Sequence, residues 1–271
     1  MKKRILIVVL LIIIVLSACN KRDYSEFTDS PIIESYLRPG NYLNVQISRQ
    51  IPFSSDVRYS SDDIEALRIS VTNESKTYFL ASLGGGKYID SSIVVTEGAT
   101  YELTFTFNSR NVSAYTRIPE KPINFTQSDY SISVDRLDGT SGHPSGGPGS
   151  MPEPVTLKWD NDDESYYIVV IENMESSLDP IRDFGDDGPP GKVFRKPPTS
   201  SSGLQLRPQE FQYFGKHRLI LYHVLPDYAS LYSEKTTSSQ NLTNPSTSIM
   251  NGYGIFTGLN SDTLYLDVKE N

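Results

Sequence analysis

Cysteine is almost absent from this chain: there is one in 271 residues, at position 19. A lone thiol excludes an intrachain disulfide framework and a thiolate zinc site. Histidine is nearly as scarce, with three residues, and tryptophan occurs once. Positive charge is also short. Lys and Arg number 25 against 33 Asp and Glu, a formal charge of −8. That balance works against a nucleic-acid partner, whose phosphates are held by excess basic charge. No G-x-S-x-G nucleophile elbow occurs. Gly84-Gly85-Gly86 lies between strand-like segments rather than ahead of a helix, so it predicts a hairpin loop and not a phosphate cradle. The sequence nominates no catalytic residue, no metal site and no cofactor, and the expectation is a protein that is not an enzyme.

What is present points to strands. Hydrophobic residues make up 37% and aromatics 11%, enough for a substantial core and too much for global disorder. There are 18 Gly, 17 Pro and 17 Tyr, a mixture that favours strands and turns over long helices.

The N-terminus carries a targeting pattern. Lys2, Lys3 and Arg4 precede twelve consecutive apolar residues, 5–16. At 1.5 Å per residue these span about 18 Å, short of the roughly 30 Å bilayer core. A secretory signal is the stronger reading, and a permanent membrane helix the weaker. Leu16-Ser17-Ala18-Cys19 resembles a bacterial lipobox. That resemblance implies cleavage before Cys19 and acylation of both its thiol and its new amino group. Stable anchoring takes more than one acyl chain, so such a Cys19 would hold the body on a membrane without a spanning helix. Residues 1–18 are then a signal peptide and 19–30 a lipidated tether. Asn20-Lys21-Arg22-Asp23 leaves open whether the body faces the periplasm or the cell surface.

Beyond residue 30 the hydrophobic pattern is that of β-structure. Ile32-Ile33-Glu34-Ser35-Tyr36-Leu37 runs into the turn Arg38-Pro39-Gly40. Leu43, Val45 and Ile47 alternate with polar residues, as do Tyr101, Leu103, Phe105 and Phe107. Residues 64–71 predict another strand, with Leu67, Ile69 and Val71 on one face. Short strands at about ten-residue spacing predict a β-sandwich over residues 31–120. Ile132 and Val134, then Val155, Leu157 and Trp159, then residues 166–172 and 219–225, predict a second sandwich over 121–271. Asp227 is placed to cap one short helix, with Tyr228, Leu231 and Tyr232 on one face. Tyr253-Gly254-Ile255-Phe256 and Leu264-Tyr265-Leu266 read as two closing strands. The fold class expected is mainly β: two immunoglobulin- or fibronectin-like β-sandwich domains with one short helix near the C-terminus.

Two stretches predict long exposed loops. Residues 139–154 hold five Gly and four Pro, and residues 179–203 are again rich in Gly, Pro and Ser. Loops on a rigid β-scaffold are where recognition concentrates, so both are candidate contact regions.

Three segments taken in order resemble the Domain of Unknown Function 4249 family, lipoproteins of Bacteroidota. They are Pro31-Ile32-Ile33-Glu34-Ser35-Tyr36-Leu37 with the strand ending Ser48-Arg49-Gln50-Ile51-Pro52, residues 219–232, and Asn244-Pro245 through Asn251-Gly252-Tyr253-Gly254-Ile255-Phe256-Thr257-Gly258. The resemblance covers about residues 25–268. It implies an envelope lipoprotein, often encoded near TonB-dependent outer-membrane receptors, and assigns no activity.

The remaining constellations are weak. Asp160, Asp162 and Glu164 lack the Gly and Glu an EF-hand requires further on, and predict a solvated turn. Asp183, Asp186 and Asp187 sit in a loop that could wrap calcium, the less favoured reading. His217 and His223 are six apart on one strand face without a third ligand, and predict ordinary strand histidines. Trp159 predicts a core aromatic. Tyr213, Tyr222, Tyr228, Tyr232 and Tyr253 could form a sugar-stacking or docking face, though packing is favoured. From these, Tyr213, Tyr228 and Tyr232, with Phe184 of the second loop, are the candidate ligand or partner contacts. The expected function is that of an outer-membrane lipoprotein, a non-enzymatic accessory or partner of a TonB-dependent transport system. The alternative is a glycan- or small-ligand-binding lipoprotein. The expected partners are the membrane, through the anchor at Cys19, and a TonB-dependent receptor.

Overall fold

The computed structural model describes residues 29–50, 62–137, 153–185, 190–234 and 247–271. Cys19, the loop glycines 139–149 and the acids Asp186 and Asp187 lie outside the described residues. The chain is mainly β. In order, the first half supplies β1 (Pro31–Leu37), β2 (Tyr42–Arg49), a one-turn helix α1 (Asp62–Glu65), β3 (Ser70–Asn73), β4 (Lys76–Phe79), β5 (Ala81–Gly84), β6 (Lys87–Val94), β7 (Thr100–Phe107) and β8 (Arg110–Arg117). The second half supplies β9 (Thr126–Gln127), β10 (Ser131–Val134), β11 (Val155–Lys158), β12 (Tyr166–Asn173), β13 (Val193–Arg195), β14 (Gly203–Leu206), β15 (Gly215–Val224), helix α2 (Pro226–Glu234), β16 (Ile249–Met250) and β17 (Tyr253–Glu270).

Residues 64–71 illustrate how local pattern yields to context. The expected strand forms only from Ser70, because Asp62–Glu65 take a helical turn. Tyr88 fixes this arrangement. Its buried hydroxyl donates to the Ile64 carbonyl (2.6 Å) and accepts from the Leu67 amide (3.0 Å).

The sheet order is β13-β12-β15-β17-β1-β2-β6-β5, with β10 also on β17; the other two sheets are β14-β11-β9 and β16-β8-β7-β3-β4. One large sheet therefore serves both halves. Its β1–β2–β6 side packs on the five-stranded sheet around Ile33, Leu43, Ile47, Leu103, Val112 and Phe256. Its β12–β15–β17 side packs on the three-stranded sheet around Leu157, Trp159, Val169, Leu206, Leu219 and Leu266. These are two sandwiches sharing one sheet.

β17 makes the sharing possible. Its first part pairs with β1 in parallel, Ile32 opposite Tyr253 through Leu37 opposite Gly258. Its later part pairs antiparallel with β15, Val224 opposite Leu259 through Gly215 opposite Val268. The two closing strands expected from the sequence are thus one strand of 18 residues. The polar run Asn260-Ser261-Asp262-Thr263 does not break it, because the chain linking the halves satisfies those groups. Asn260 Nδ2 donates to the Pro119 carbonyl (3.1 Å) and to Glu97 Oε2 (2.8 Å). Lys121 pairs with Asp262 at 2.9 Å.

The first sandwich, expected over 31–120, also takes strands from the far end of the chain. β16 pairs with β8, and β17 lies against β1. Phe256, fully buried, belongs to that first core. α2 begins at Pro226, one residue before the expected cap; proline suits a helix's first turn because its missing N–H is not needed there.

Candidate functional site

Strand parity divides the large sheet into two faces. On β12, odd residues Tyr167, Val169 and Ile171 enter the second core, while even residues Ile168 and Val170 point to the opposite, outer face. β15 does the same, with Leu219 and Leu221 inward and Ile220 and Val224 outward. β1 buries Ile33 and Leu37 in the first core. That leaves Glu34 and Tyr36 on the outer side, followed by Arg38. Leu259 of β17 joins this outer set.

An outer face this apolar needs cover. Part of it comes from α2, which is tied down at its start. Asp227 Oδ1 accepts hydrogen bonds from Thr257 Oγ1 (3.0 Å) on β17 and from the Tyr228 amide (2.8 Å). Tyr228 then meets Tyr36 edge-on, ring centroids 5.8 Å apart at 76°, a geometry worth about 0.5–1.5 kcal/mol beyond area burial. α2 stops short of the β12–β15 rows. There a cleft opens, lined by Ile168, Val170, Val224 and Leu259 below and by Tyr222, Tyr228, Arg38 and Arg195 around it. Its volume is about 70 Å3, and its mouth opens to solvent.

Electrostatically the cleft differs from the acidic chain around it. Arg38 places its guanidinium carbon 5.3 Å from the Tyr222 ring centre, a cation–π contact. Arg195, at the end of the edge strand β13, stands opposite Val170 and so shares its face. Both arginines are exposed, and neither forms an ion pair with a described residue. The Tyr36 hydroxyl is pushed up to about 12, chiefly by burial, then by the neighbouring Glu34 carboxylate, with Arg195 acting the other way. Tyr36 is therefore a protonated hydroxyl at neutral pH, able to donate one hydrogen bond.

The candidate contacts separate in space. Tyr228 lines the cleft. Tyr232, one helical turn on, is half-buried. Tyr213 was expected with them and is not there: it is 2% exposed. It is held inside by a bridge to Pro180 and by its hydroxyl donating to the Pro190 carbonyl. Phe184 lies against Tyr213 (6.5 Å) under the Arg182 guanidinium (5.1 Å), in a separate surface hollow with Arg136, Leu137 and Pro180. The five tyrosines thus do not form one face. Tyr253 is half-buried at the start of β17. Tyr222 shares the cleft with Tyr228.

Tyr36, Arg38 and Arg195 had not been singled out. Tyr36 reads locally as the polar side of an alternating strand, and Arg38 as the start of a turn. Arg195 lies inside a Gly/Pro-rich stretch whose three-residue strand carries no periodicity.

The two described histidines hold the fold. His217, buried, donates from Nδ1 to the Gly215 carbonyl (2.9 Å) and accepts from Asn173 Nδ2 (3.3 Å). Burial pushes its pKa down. His223 stacks on Tyr167 (4.8 Å) and donates to the Glu120 carbonyl (2.9 Å). Trp159 packs between Phe125 and Tyr167 in the second core. In the acidic turn, Asp163 accepts from the Ser165 hydroxyl (2.9 Å) and amide, which hold its pKa low. Asp160 accepts from Asn124 (2.7 Å).

The two sandwiches share one sheet, whose outer face carries an aromatic, arginine-flanked cleft. The family follows from the sequence as a whole. The family model described as Domain of unknown function (DUF4249) matches residues 22–184, and the chain belongs to that family. The match takes in β1 through β12 and ends before Arg195 and α2. No curated protein matches the chain.

Proposed function

We propose that this chain is a lipid-anchored outer-membrane protein that acts as a non-enzymatic accessory or binding partner of a TonB-dependent transport system. The anchor is Cys19, where the lipobox-like Leu16-Ser17-Ala18-Cys19 follows the charged and apolar leader. The observation that carries the binding role is the outer-face cleft, whose lining of Tyr222, Tyr228, Arg38 and Arg195 offers stacking and hydrogen-bond donors. The perturbed titratable groups fit the same reading. Apart from Tyr36 beside the cleft they are spread over separate places, among them buried phenols (Tyr88, Tyr167) and structural ion pairs (Arg218 with Glu172, Arg136 with Asp179 and Glu270). Such dispersal suits a scaffold more than a catalytic centre, where shifted groups cluster.

Two measurements test this. Cys19→Ser should abolish incorporation of labelled fatty acid; unchanged labelling refutes the anchor. Affinity purification of the tagged protein from detergent-solubilised membranes should recover a TonB-dependent receptor, and recovery of the protein alone refutes the partnership. The cleft also favours a second reading, a lipoprotein that binds a small ligand directly on the outer face of the large sheet.

A further inference from the structure

We propose that the outer-face cleft binds a small organic anion, a carboxylate carried on an aromatic or short apolar body. The inference deepens the second reading above and is independent of the receptor partnership. Three features carry it. The floor is wholly apolar, with Ile168, Val170, Val224 and Leu259 each buried, which suits a hydrophobic body. Tyr222 and Tyr228 stand beside that floor, and aromatic rings offer flat surfaces for a second ring to pack on. The charge at the cleft is positive in a chain of formal charge −8. Arg38 and Arg195 reach it from β1 and β13, strands separated by three others.

Those guanidiniums are what select the anion. A guanidinium presents a planar fork that fits a carboxylate. Several described cations are held in ion pairs: Arg136 with Asp179 and Glu270, Arg218 with Glu172, Lys196 with Glu210, Lys121 with Asp262. Arg38 and Arg195 have no such partner among the described residues. Glu34 lies on this face beside Tyr36. The residues lining the cleft include two guanidiniums and no carboxylate. The cleft volume of about 70 Å3 is too small for a folded partner and takes one short apolar group, with the rest of a ligand lying at the open mouth beside the arginines.

The test uses the full-length lipoprotein in phospholipid nanodiscs, with empty discs as the blank, and equilibrium dialysis of 3-phenylpropanoate against its neutral isostere 3-phenylpropanamide. The expected dissociation constant for the carboxylate is about 0.1 mM, the level reached by a good ligand of this size. The amide should bind at least tenfold more weakly. The double variant Arg38→Gln/Arg195→Gln changes two exposed side chains, and an unchanged thermal transition confirms its folding. It should weaken the carboxylate at least tenfold and leave the amide as it was. Equal binding of carboxylate and amide keeps a ligand site but overturns the anion. Undiminished carboxylate binding by the double variant overturns the assignment to this cleft. No binding of either compound up to 10 mM, about a hundred times the expected constant, overturns both the inference and the second reading, whatever the receptor purification returns.

Discussion

Gly258 on β17 faces the strand end that carries the chain from the first sandwich to the second. A Cβ at this position would stand 2.3 Å from the Arg117 carbonyl oxygen and 2.9 Å from both the Arg117 carbonyl carbon and the Ile118 Cα. All three are backbone atoms, so no side chain can swing aside. Ordinary contacts begin near 3.4 Å, and the crossing segment would have to retreat by about 1 Å, an overpacking displacement. Retreat also pulls Thr116 Oγ1 off the Gly258 amide, a buried hydrogen bond of 2.8 Å. Overpacking costs about 1–3 kcal/mol and an orphaned buried donor about 1–3 kcal/mol. Gly258→Ala should therefore destabilise the protein by about 2–6 kcal/mol. At about 2–4 °C per kcal/mol for a chain of this size, the thermal midpoint should fall by about 4–24 °C. The control is Gly191→Ala, where a Cβ meets nothing within 4 Å and the effect should stay within about 0.5 kcal/mol. Urea denaturation followed by circular dichroism measures both. A Gly258→Ala variant as stable as Gly191→Ala would refute the backbone crossing as described.

Two other predictions concern the second core and the shared strand. His217 is held below the usual imidazole value of 6.5 by burial, against the Gly215 carbonyl and the Asp267 and Glu175 carboxylates. Between its folded pKa and about 6.5 the unfolded chain binds more protons, so stability is full above about pH 6.5 and falls as pH drops, by at most ~1.4 kcal/mol per pH unit. His217→Gln should flatten the denaturation free energy between pH 5 and 7, and an identical slope in both proteins counts against a neutral buried imidazole. A chain ending at residue 248 loses the strand common to both sandwiches, and should show no cooperative transition. A surviving transition of native size would mean that one half stands alone.

Much of the β-structure was legible because alternation is a local property. β1, β2 and β7 follow their period-2 patterns closely, and the buried positions Ile33, Leu43, Val45, Leu103 and Phe105 are those the pattern selects; β12 and β15 read instead as continuous apolar runs and are buried on both faces. Trp159 follows the same logic. What alternation cannot carry is pairing. Nothing near residue 32 signals that it will lie beside Tyr253. The polar run at 260–263 reads as a break until the linker that satisfies it is in place. The cleft was half visible for the same reason. Tyr222 and Tyr228 lie close in sequence and could be grouped, whereas Tyr36, Arg38 and Arg195 arrive from strands more than 150 residues apart in sequence. Tyr213 looked like its fellow tyrosines because composition does not tell an inward ring from an outward one.

The use of β17 by both halves has a consequence for the order of assembly. Every chain is made from its N-terminus, and the strands β1 to β8 are complete once residue 117 has appeared. Their sheet then still lacks the parallel neighbour of β1, and its core lacks Ile249 and Phe256. Roughly 140 further residues must be added before that neighbour exists, about 7–28 s at ordinary rates of synthesis. During that interval the backbone groups of β1 that β17 will satisfy form an open edge, the kind of surface that invites wrong pairing. The first-made half thus stays open until nearly the whole chain has been made, and any factor that shields an unfinished strand has its longest task at residues 31–37.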